Sequence, residues 1–155
     1  MQQLNLPEFE FKTKDEKGKR YIFDTIRKKY VVLTPEEWVR QNFVRYLVNY
    51  KNFSASLLIL EMPFTLNKTD KRSDIAAYNK NGKIVLLVEC KSPDVAVSQK
   101  VFDQVATYNL KINAPFLALT NGITHYCCKL DYKLKKWVFV NEIPDFGELE
   151  SIGAD

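Results

Sequence analysis

Apolar and polar residues follow two different periods along this chain, and both periods belong to regular secondary structure. In "TPEEWVRQNFVRYLVNY", apolar residues recur at helical spacing behind a threonine, a proline and two glutamates, which are typical of a helix start. We therefore predict a helix over residues 34–49, in which Thr34 is the N-cap and Glu37 can complete a capping box. A second helix is predicted in "VSQKVFDQVATYNLKI", where Ser98 can act as the cap.

Short apolar runs bounded by turn residues predict the strands. Two short strands surround "RKK" in "YIFDTIRKKYVVLT", and "ASLLILEMPFTL" predicts a buried strand in which Pro63 indicates a bulge or an edge position. The polar stretch "NKTDKRS" is predicted to be a loop. Strands then flank the Asn81-Gly82 turn, and "APFLALTNG", "ITHYCCKLD" and "KKWVFV" supply three more. The order α-β-β-β-α-β plus C-terminal strands predicts an α/β (α+β) fold with a central mixed sheet flanked by helices.

The length and composition predict one folded domain with polar ends. A chain of 155 residues with 46% hydrophobic residues is large enough to bury a core. The lysine-rich residues 1–20 are predicted to form a polar N-terminal arm or a peripheral hairpin. The domain itself is assigned to residues 21–145, and residues 146–155 are expected to be a C-terminal tail.

Composition also excludes several classes of protein. The three cysteines are odd in number and lack the spacing of redox or zinc motifs, so we expect free thiols in a reducing cytoplasm. No apolar run approaches the roughly 20 residues of a membrane helix, so we expect no membrane partner. The net charge of +4 suits an anionic partner without demonstrating one. The only histidine, His125, is expected to be structural.

Three charges interrupt the apolar pattern of the Asn-Gly hairpin. If the two turn residues alone form the loop, Tyr78 lies opposite Val85 and Asp74 lies opposite Glu89. Opposite residues share a face, and side chains alternate with a period of two, so Asp74, Glu89 and Lys91 should point the same way. An odd-length loop or a bulge would break this register.

Two carboxylates that converge from adjacent strands suit a hard divalent cation. Beside a lysine, such an ion can activate water and offset charge on a phosphate, so the pattern favours phosphodiester hydrolysis. In the alternative, Asp74 and Glu89 are exposed strand ends that pair with Arg72 or Lys91. The run "IVLLVECK" is apolar on both faces up to Val88, as expected of a central strand, and this favours the first interpretation.

The pattern of Asp74 followed by Glu89-Cys90-Lys91 resembles the signature of the PD-(D/E)XK nuclease superfamily. The stretches "LTPEEWVRQ", "RSDIAAY", "VECKSP", "QVATYN" and "LALTNG" resemble the N-terminal nuclease domain of type I restriction enzyme R subunits, over about residues 24–126. The resemblance implies a restriction-endonuclease-like core and a metal-dependent endonuclease-like domain that hydrolyses DNA phosphodiester bonds. It implies DNA as the partner, with other restriction-system subunits or a second copy of the chain as further partners.

The resemblance also assigns roles to residues by position. Asp74 and Glu89 match the metal-binding acids and Lys91 matches the catalytic lysine, with Mg²⁺ or Mn²⁺ as the implied cofactor. Cys90, which stands where an apolar residue is more common, should point to the opposite face and affect only packing.

Four further residues have two readings each. Glu37 matches an acid that the superfamily often supplies from its first helix, and a helix-capping role explains it equally well. Gln104 and Tyr108 match a Gln-x-x-x-Tyr element of the R subunits, although spacing alone also allows a surface glutamine and a core tyrosine. Glu61 could approach the site from a neighbouring strand, but an exposed edge position is the simpler reading.

One motif of type I enzymes is missing from the printed sequence. No phosphate-binding Gly-x-x-x-x-Gly-Lys-Ser/Thr occurs, so we expect no ATP-driven motor here, which leaves a stand-alone relative or partners on separate polypeptides. The rival to the enzyme is therefore a catalytically silent nuclease-fold module for DNA binding or subunit assembly. A plain α/β scaffold without a site is a third reading.

Overall fold

The computed structural model describes residues 1–153, and this part of the chain forms two sheets. A ribbon contains the first three strands, and a main sheet contains the other six. The strands are β1 (Thr13–Glu16), β2 (Lys19–Asp24), β3 (Lys29–Val32), β4 (Leu58–Leu66), β5 (Thr69–Tyr78), β6 (Ile84–Cys90), β7 (Phe116–Thr120), β8 (His125–Asp131) and β9 (Lys136–Val140). The helices are α1 (Pro35–Tyr50), α2 (Gln99–Ile112) and α3 (Phe146–Leu149).

The main sheet has the strand order β4-β5-β6-β7-β8-β9. Neighbouring strands are antiparallel except β6 and β7, which run parallel and are joined through α2. β4 lies at an edge of the sheet, which explains how this strand tolerates Pro63. The predicted central mixed sheet flanked by helices, with the predicted element order, is therefore confirmed.

Helix α1 begins and ends within one residue of the predicted bounds. The hydroxyl of Thr34 accepts a hydrogen bond from the backbone N–H of Glu37 (3.0 Å), and this cap satisfies one of the free donors at the helix start. Val39, Phe43 and Leu47 are completely buried on one side of the helix. They pack against alternate residues of β5 and β6 in one core cluster: Ile75, Ala77, Leu86 and Val88.

Helix α2 covers the opposite face of the sheet. The intervening residues Ala76 and Leu87 point away from α1 and form a second core cluster with Val105 of α2. Ser98 caps the helix start, as predicted, by accepting from the N–H of Val101 (3.3 Å). The sheet is thus buried on both sides, which explains why "IVLLVEC" shows no clean alternation.

The turn between β5 and β6 differs from the predicted two-residue loop. The N–H of Asn79 donates to the carbonyl of Lys83 (2.9 Å), so the loop contains three residues, 80–82. Gly82 donates from its N–H to the carbonyl of Asn79 (3.0 Å), with a φ of +75° that favours glycine. The side-chain oxygen of Asn79 also accepts from the N–H groups of Asn81 (3.0 Å) and Lys83 (3.1 Å).

A β-bulge in β6 compensates for this longer loop. Tyr78 lies opposite Ile84, not Val85 as predicted, and the register shifts at the next step of the ladder so that Val85 is the extra residue. Beyond the bulge, Ala76 lies opposite Leu87, as predicted. The two departures cancel, so the predicted register is restored at the end of the hairpin that carries the charges.

Residues 13–20 lie in an exposed hairpin of the ribbon, which agrees with the predicted peripheral hairpin, whereas residues 2–6 contact the folded body, which corrects the predicted arm. Leu4 and Leu6 pack against the core on the α1 side, because they are apolar residues within an otherwise polar stretch. The indole of Trp38 donates to the carbonyl of Gln2 (2.8 Å). His125 bonds the carbonyl of Asn5 through Nε2 (2.9 Å), which supports its predicted structural role.

Two other predicted boundaries also differ from the structure. Most of "NKTDKRS" belongs to β5, because Asn67 and Lys68 alone form the turn, with φ values of 50° and 62° that suit a two-residue hairpin. The predicted tail from residue 146 instead packs into the core through Phe146 and Leu149, which are 6% and 0% exposed. Residues 154 and 155 of that predicted tail lie outside the described residues.

The three cysteines are buried free thiols. Burial raises the pKa of Cys127 to about 12 and that of Cys128 to about 11. Cys90 is completely buried in the cluster beneath α1, as expected for a residue that affects packing. Among residues 1–153, no helix combines the length and the apolar character needed to cross a membrane.

Candidate functional site

Asp74, Glu89 and Lys91 meet at the carboxyl end of β6. Asp74 comes from the neighbouring strand β5, and its Oδ2 accepts a hydrogen bond from the backbone N–H of Cys90 (2.8 Å). The Nζ of Lys91 lies 3.4 Å from Oε1 of Glu89. Asp74 and Glu89 are both largely buried, with side chains 9% and 18% exposed. The structure therefore rules out the reading in which the two acids are solvated strand ends.

Negative charge is in excess around Glu89. Burial, followed by the charge of Asp74, raises the pKa of Glu89 to about 8, although Lys91 opposes this shift. Burial and the charge of Asp74 also raise the pKa of Glu36 in the first turn of α1. The raised pKa values of two carboxyl groups on different elements thus have the same two causes, burial first and the charge of Asp74 second.

Arg40 of α1 is the cation closest to Asp74. Its Nη2 donates to Oδ1 of Asp74 (2.7 Å), and its Nη1 donates to Oε1 of Glu37 (2.8 Å). Burial alone would lower the pKa of Arg40, but the charges of Asp74 and Glu37 outweigh burial and raise it. Arg40 is only 5% exposed, so this ion pair fixes the Asp74 side chain inside the protein.

Arg27 connects the ribbon to the same acids. It lies in the turn between β2 and β3 and bonds the carboxylates of Asp24, Glu37 (2.8 Å) and Glu61 (2.9 Å). Gln41 adds hydrogen bonds to Asp24 (3.0 Å) and Glu37 (3.1 Å). Burial would raise the pKa of Asp24, but its hydrogen bonds and the charge of Arg27 lower it. The ribbon is therefore anchored to α1 by a buried polar network.

Glu37 belongs to this network through its carboxylate. Its backbone N–H is capped by Thr34, but the N–H of Thr34 donates to the carbonyl of Val32 (3.2 Å) and not to Glu37. The reciprocal half of the predicted capping box is therefore not formed, and the carboxylate is bound by two arginines instead.

Glu61 of β4 faces the network, contrary to the simpler expectation of an exposed edge position. Besides bonding Arg27, its carboxylate lies 3.6 Å from Arg40 and 3.7 Å from Arg72. Glu61 has a φ of +53°, a left-handed conformation that is rare and costly for a glutamate within a strand. The contacts with the arginines help to offset this cost.

Tyr108 lies near Glu89, whereas no contact joins Gln104 to the acids. Tyr108 and Glu89 line the same small pocket on the α2 side of the sheet. The Tyr108 ring packs against Phe64 (6.1 Å between ring centroids), and the Nζ of Lys71 lies 5.5 Å from its centroid. Gln104 is exposed one turn earlier on α2, and its side chain makes no hydrogen bond within residues 1–153.

Three residues of the network were not predicted from the sequence: Arg27, Arg40 and Gln41. A signal for two of them exists in α1, because Glu37, Arg40 and Gln41 are three and four residues apart and so share one face of the helix. This face also contains buried Val44, and charged residues in a buried stripe need partners. Arg27 offers no such signal, because it lies in a turn and reaches its partners only through the tertiary fold.

An open cleft of about 710 Å³ runs between the ribbon and the start of α1. Lys29 of the ribbon lines one side, Glu36 and Arg40 line the other, and Glu61 lies within it. Ser92, which follows Lys91 directly in the chain, also contributes to the wall. Asp74, Glu89 and Lys91 do not line this cleft themselves, but Arg40, which binds Asp74, does, so the cleft adjoins the end of the sheet where the acids meet.

The donor set fits a hard divalent cation in one specific way. Among residues 1–153, no three histidine, cysteine or acidic side chains are arranged to hold a metal by themselves. Asp74 and Glu89 supply carboxylate oxygens, each with more than one lone pair, and the pKa of Glu89 stays raised in spite of the nearby Lys91. Mg²⁺ commonly binds one or two carboxylates and completes its shell with waters and substrate phosphates, so two acids suffice.

A model of a known protein family matches most of the chain. The family model described as "Type I restriction enzyme R protein N terminus (HSDR_N)" matches residues 35–144. The match begins at α1, ends just before α3, and includes both flanking helices and the whole main sheet. It does not include the ribbon that supplies Arg27.

One solved structure with a similar fold is a fragment described as an HsdR subunit of a type I restriction enzyme from Vibrio vulnificus YJ016. It is 21% identical, with a TM-score of 0.55, over 76% of this chain and 24% of that chain. The present chain thus spans about a quarter of that neighbour's length. No curated protein matches the chain. From the family match over well more than half of its length, the chain belongs to the type I restriction enzyme R protein N-terminal family.

Proposed function

We propose that this chain is an endonuclease-like domain that uses Mg²⁺ or Mn²⁺ to hydrolyse phosphodiester bonds of DNA within a restriction system. The observation that carries the proposal is the meeting of Asp74, in the middle of β5, with Glu89 and Lys91 at the carboxyl end of β6. Membership of the R protein N-terminal family supports a nuclease-related role in such a system.

Asp74 and Glu89 are the residues that would hold the cation, and a bound Mg²⁺ or Mn²⁺ lowers the pKa of water and offsets charge on the phosphate. Lys91 presents a second cation beside them, with 30% of its side chain exposed to an incoming substrate. A lysine at this position can bind a phosphate oxygen whose charge increases during the reaction.

Three other residues position this group. Arg40 holds Asp74 through a 2.7 Å hydrogen bond, and Glu37 holds Arg40 through a 2.8 Å hydrogen bond. Tyr108 closes the pocket beside Glu89. Gln104 is exposed on the same helix one turn away, where it is free to contact DNA.

Plasmid cleavage tests the proposal. We would incubate supercoiled DNA and Mn²⁺ with the wild-type protein, with Lys91→Ala and with Lys133→Ala. Lys133 is an exposed lysine in the β8–β9 turn, at the opposite end of the sheet, so its variant controls for loss of one charge. Lys91→Ala should cleave about 100-fold more slowly, as expected when a group that stabilises transition-state charge is removed. Equal rates for the two variants, or no cleavage by any protein at high concentration, would refute the proposal.

The contact between Arg40 and Asp74 favours a second candidate, a catalytically silent module that binds DNA or other restriction subunits. In that case the guanidinium replaces a metal as the cation for Asp74 and Glu37. Titration calorimetry with Mn²⁺ separates the two candidates. Metal binding that Asp74→Asn abolishes supports the enzyme, whereas DNA binding by a protein that takes up no Mn²⁺ supports the silent module.

A further inference from the structure

The positive charge of the chain is concentrated in the ribbon. Residues 12–32 contain eight lysines and arginines against three acids, an excess of five, although the whole chain carries only +4. The rest of the protein therefore carries a small negative net charge. An uneven distribution of this kind creates a local positive field, which attracts polyanions more strongly than the net charge suggests.

Much of the ribbon's charge is not neutralised within the protein. Exposed ion pairs join Lys14 to Glu16 (3.2 Å) and Arg20 to Asp15 (3.2 Å), and Arg27 is committed to the buried network. The remaining lysines of the ribbon are exposed and form no ion pair within residues 1–153. They are Lys12, Lys17, Lys19, Lys28 and Lys29.

The free lysines lie at both ends of the ribbon, and the end that carries Lys28 and Lys29 adjoins the candidate site. Lys28 and Lys29 follow Arg27 directly, and Lys29 lines the cleft. Lys17 and Lys19 lie at the far end of β2. With roughly 3.3 Å per residue, the six residues of β2 extend over about 16 Å. This is about half of the roughly 34 Å turn of duplex DNA.

The aromatic residues of the ribbon are partly covered by neighbouring side chains, although Tyr30 is 38% exposed. The Nζ of Lys14 lies 4.5 Å from the ring centroid of Tyr30 and 5.7 Å from that of Tyr21. Phe23 contacts the Tyr30 ring edge-on, with 5.2 Å between the centroids. Proteins that hold single strands rely on free aromatic faces, so the covered rings favour contact with a phosphate backbone over contact with unpaired bases.

We propose that the β1–β3 ribbon binds the phosphate backbone of duplex DNA and guides it into the cleft beside Asp74 and Glu36. This inference rests on the proposed function, because it assumes that DNA is the substrate of the site. The buried network of Arg27, Asp24 and Gln41 gives the ribbon a fixed orientation relative to the acids. Phosphate contacts supply affinity and register without reading sequence.

The test compares two triple variants with the same change of charge. One replaces Lys19, Lys28 and Lys29 of the ribbon with Gln. The control replaces the exposed lysines Lys133, Lys135 and Lys136 around the β8–β9 turn, at the opposite end of the sheet. Each triple contains one turn lysine with a positive φ, 56° for Lys28 and 53° for Lys135, so local strain is matched. Circular dichroism verifies that both fold.

Binding to a fluorescent 20-base-pair duplex is measured by anisotropy in EDTA from 50 to 200 mM salt. Each lost phosphate contact reduces the slope of log K against log salt by about 0.9, so the ribbon triple should lose about 2.7 in slope. Over this salt range, the wild-type affinity should then fall about 40-fold more than that of the ribbon triple. The control triple should retain the wild-type slope.

Three outcomes would overturn the inference: equal loss of slope in both triples, no loss in the ribbon triple, and no duplex binding by the wild type. A second ribbon variant, Lys12→Gln with Lys17→Gln, replaces the triple if the latter does not fold. Because EDTA removes divalent cations, the result does not depend on cleavage. A catalytically silent protein can still bind DNA through the ribbon, and an active one can lack this binding. Failure of this inference can therefore be distinguished from failure of the proposed function.

Discussion

Glu89→Gln should make the metal-free protein more stable at alkaline pH. Glu89 has a pKa of about 8 in the folded protein, against 4.5 for an unperturbed glutamate, because it is buried beside Asp74. Between these two values the folded state binds more protons than the unfolded state, so stability falls as the pH rises. Below pH 4.5 the carboxyl is protonated in both states and contributes nothing to this difference.

The size of the stability change follows from the difference between the folded and the unperturbed pKa of Glu89. At 1.36 kcal/mol per pKa unit, ionising Glu89 in the unfolded state alone costs on the order of 3 kcal/mol of stability by pH 7. A glutamine cannot ionise and escapes this cost. It forfeits the 3.4 Å pair with Lys91, but a partly exposed pair contributes about 0–1 kcal/mol. The variant should therefore gain a net stability of about 2–3 kcal/mol over the wild type between pH 5 and pH 8.

Urea unfolding in EDTA at pH 5 and at pH 8 measures the stability difference between the variant and the wild type. Glu10→Gln, at an exposed glutamate, is the control. The stability difference between Glu89→Gln and wild type should grow with pH, whereas that of the control should not. Adding Mn²⁺ at pH 8 should then stabilise the wild type and not the variant, because only the wild type retains both acids. A difference that changes by less than about 0.5 kcal/mol between the two pH values would refute the charge excess inferred here.

Two further perturbations test the packing of the site and the core. Arg40→Leu leaves Asp74 buried without its cation, so urea unfolding at pH 7 should show a loss of about 3–5 kcal/mol, and a loss below about 1 kcal/mol would contradict a buried ion pair. Phe43→Ala should cost about 3–5 kcal/mol in the same assay because Phe43 is completely buried, whereas Leu110→Ala, at an 82% exposed helix position, should change stability by no more than about 0.5 kcal/mol.

The elements that the sequence predicted well are those with local signals. Helix α1 has a capping threonine, an N1 proline and an apolar stripe within one segment, and its observed bounds differ by one residue. The turn at Asn67 and Lys68 was missed because it contains no glycine, and both residues adopt the left-handed conformation that sequence patterns usually assign to glycine. The burial of the C-terminal segment was also not predicted, because Leu149 becomes buried only through contacts with elements distant in sequence.

The register of the hairpin beyond the bulge was predicted correctly, but for an incomplete reason. The Asn-Gly pair does mark the turn, but Gly82 closes a three-residue loop, and the bulge at Val85 restores the pairing. Val85 is completely buried, so the extra residue is held by core packing that no local pattern reveals. The convergence of Asp74 with Glu89 therefore depends on two features that compensate for each other, and only one of them has a sequence signal.

Lys91 was predicted from the sequence, but the two arginines of the site were not. A converging pair of acids indicated that positive charge had to be present, but Arg40 and Arg27 come from a helix and a turn that lie 34 and 47 positions before Asp74. Sequence pattern gives the face of a helix, and the fold decides which face meets which strand. The roles assigned by resemblance to Gln104 and Tyr108 stay predictions, although Tyr108 does share a pocket with Glu89.

The formal charges of the site support the proposal of a divalent cation. The ion pairs around Asp74 and Glu89 involve six carboxylates and four cationic side chains, so the group lacks two positive charges. These residues are Asp24, Glu36, Glu37, Glu61, Asp74 and Glu89 with Arg27, Arg40, Arg72 and Lys91. Leaving out the exposed Glu36 and Arg72 does not change this deficit. In the metal-free protein, protonation of Glu89 removes half of it, which is consistent with the pKa of about 8. A divalent cation beside Asp74 and Glu89 would neutralise the whole group, whereas a lysine or arginine added there would not.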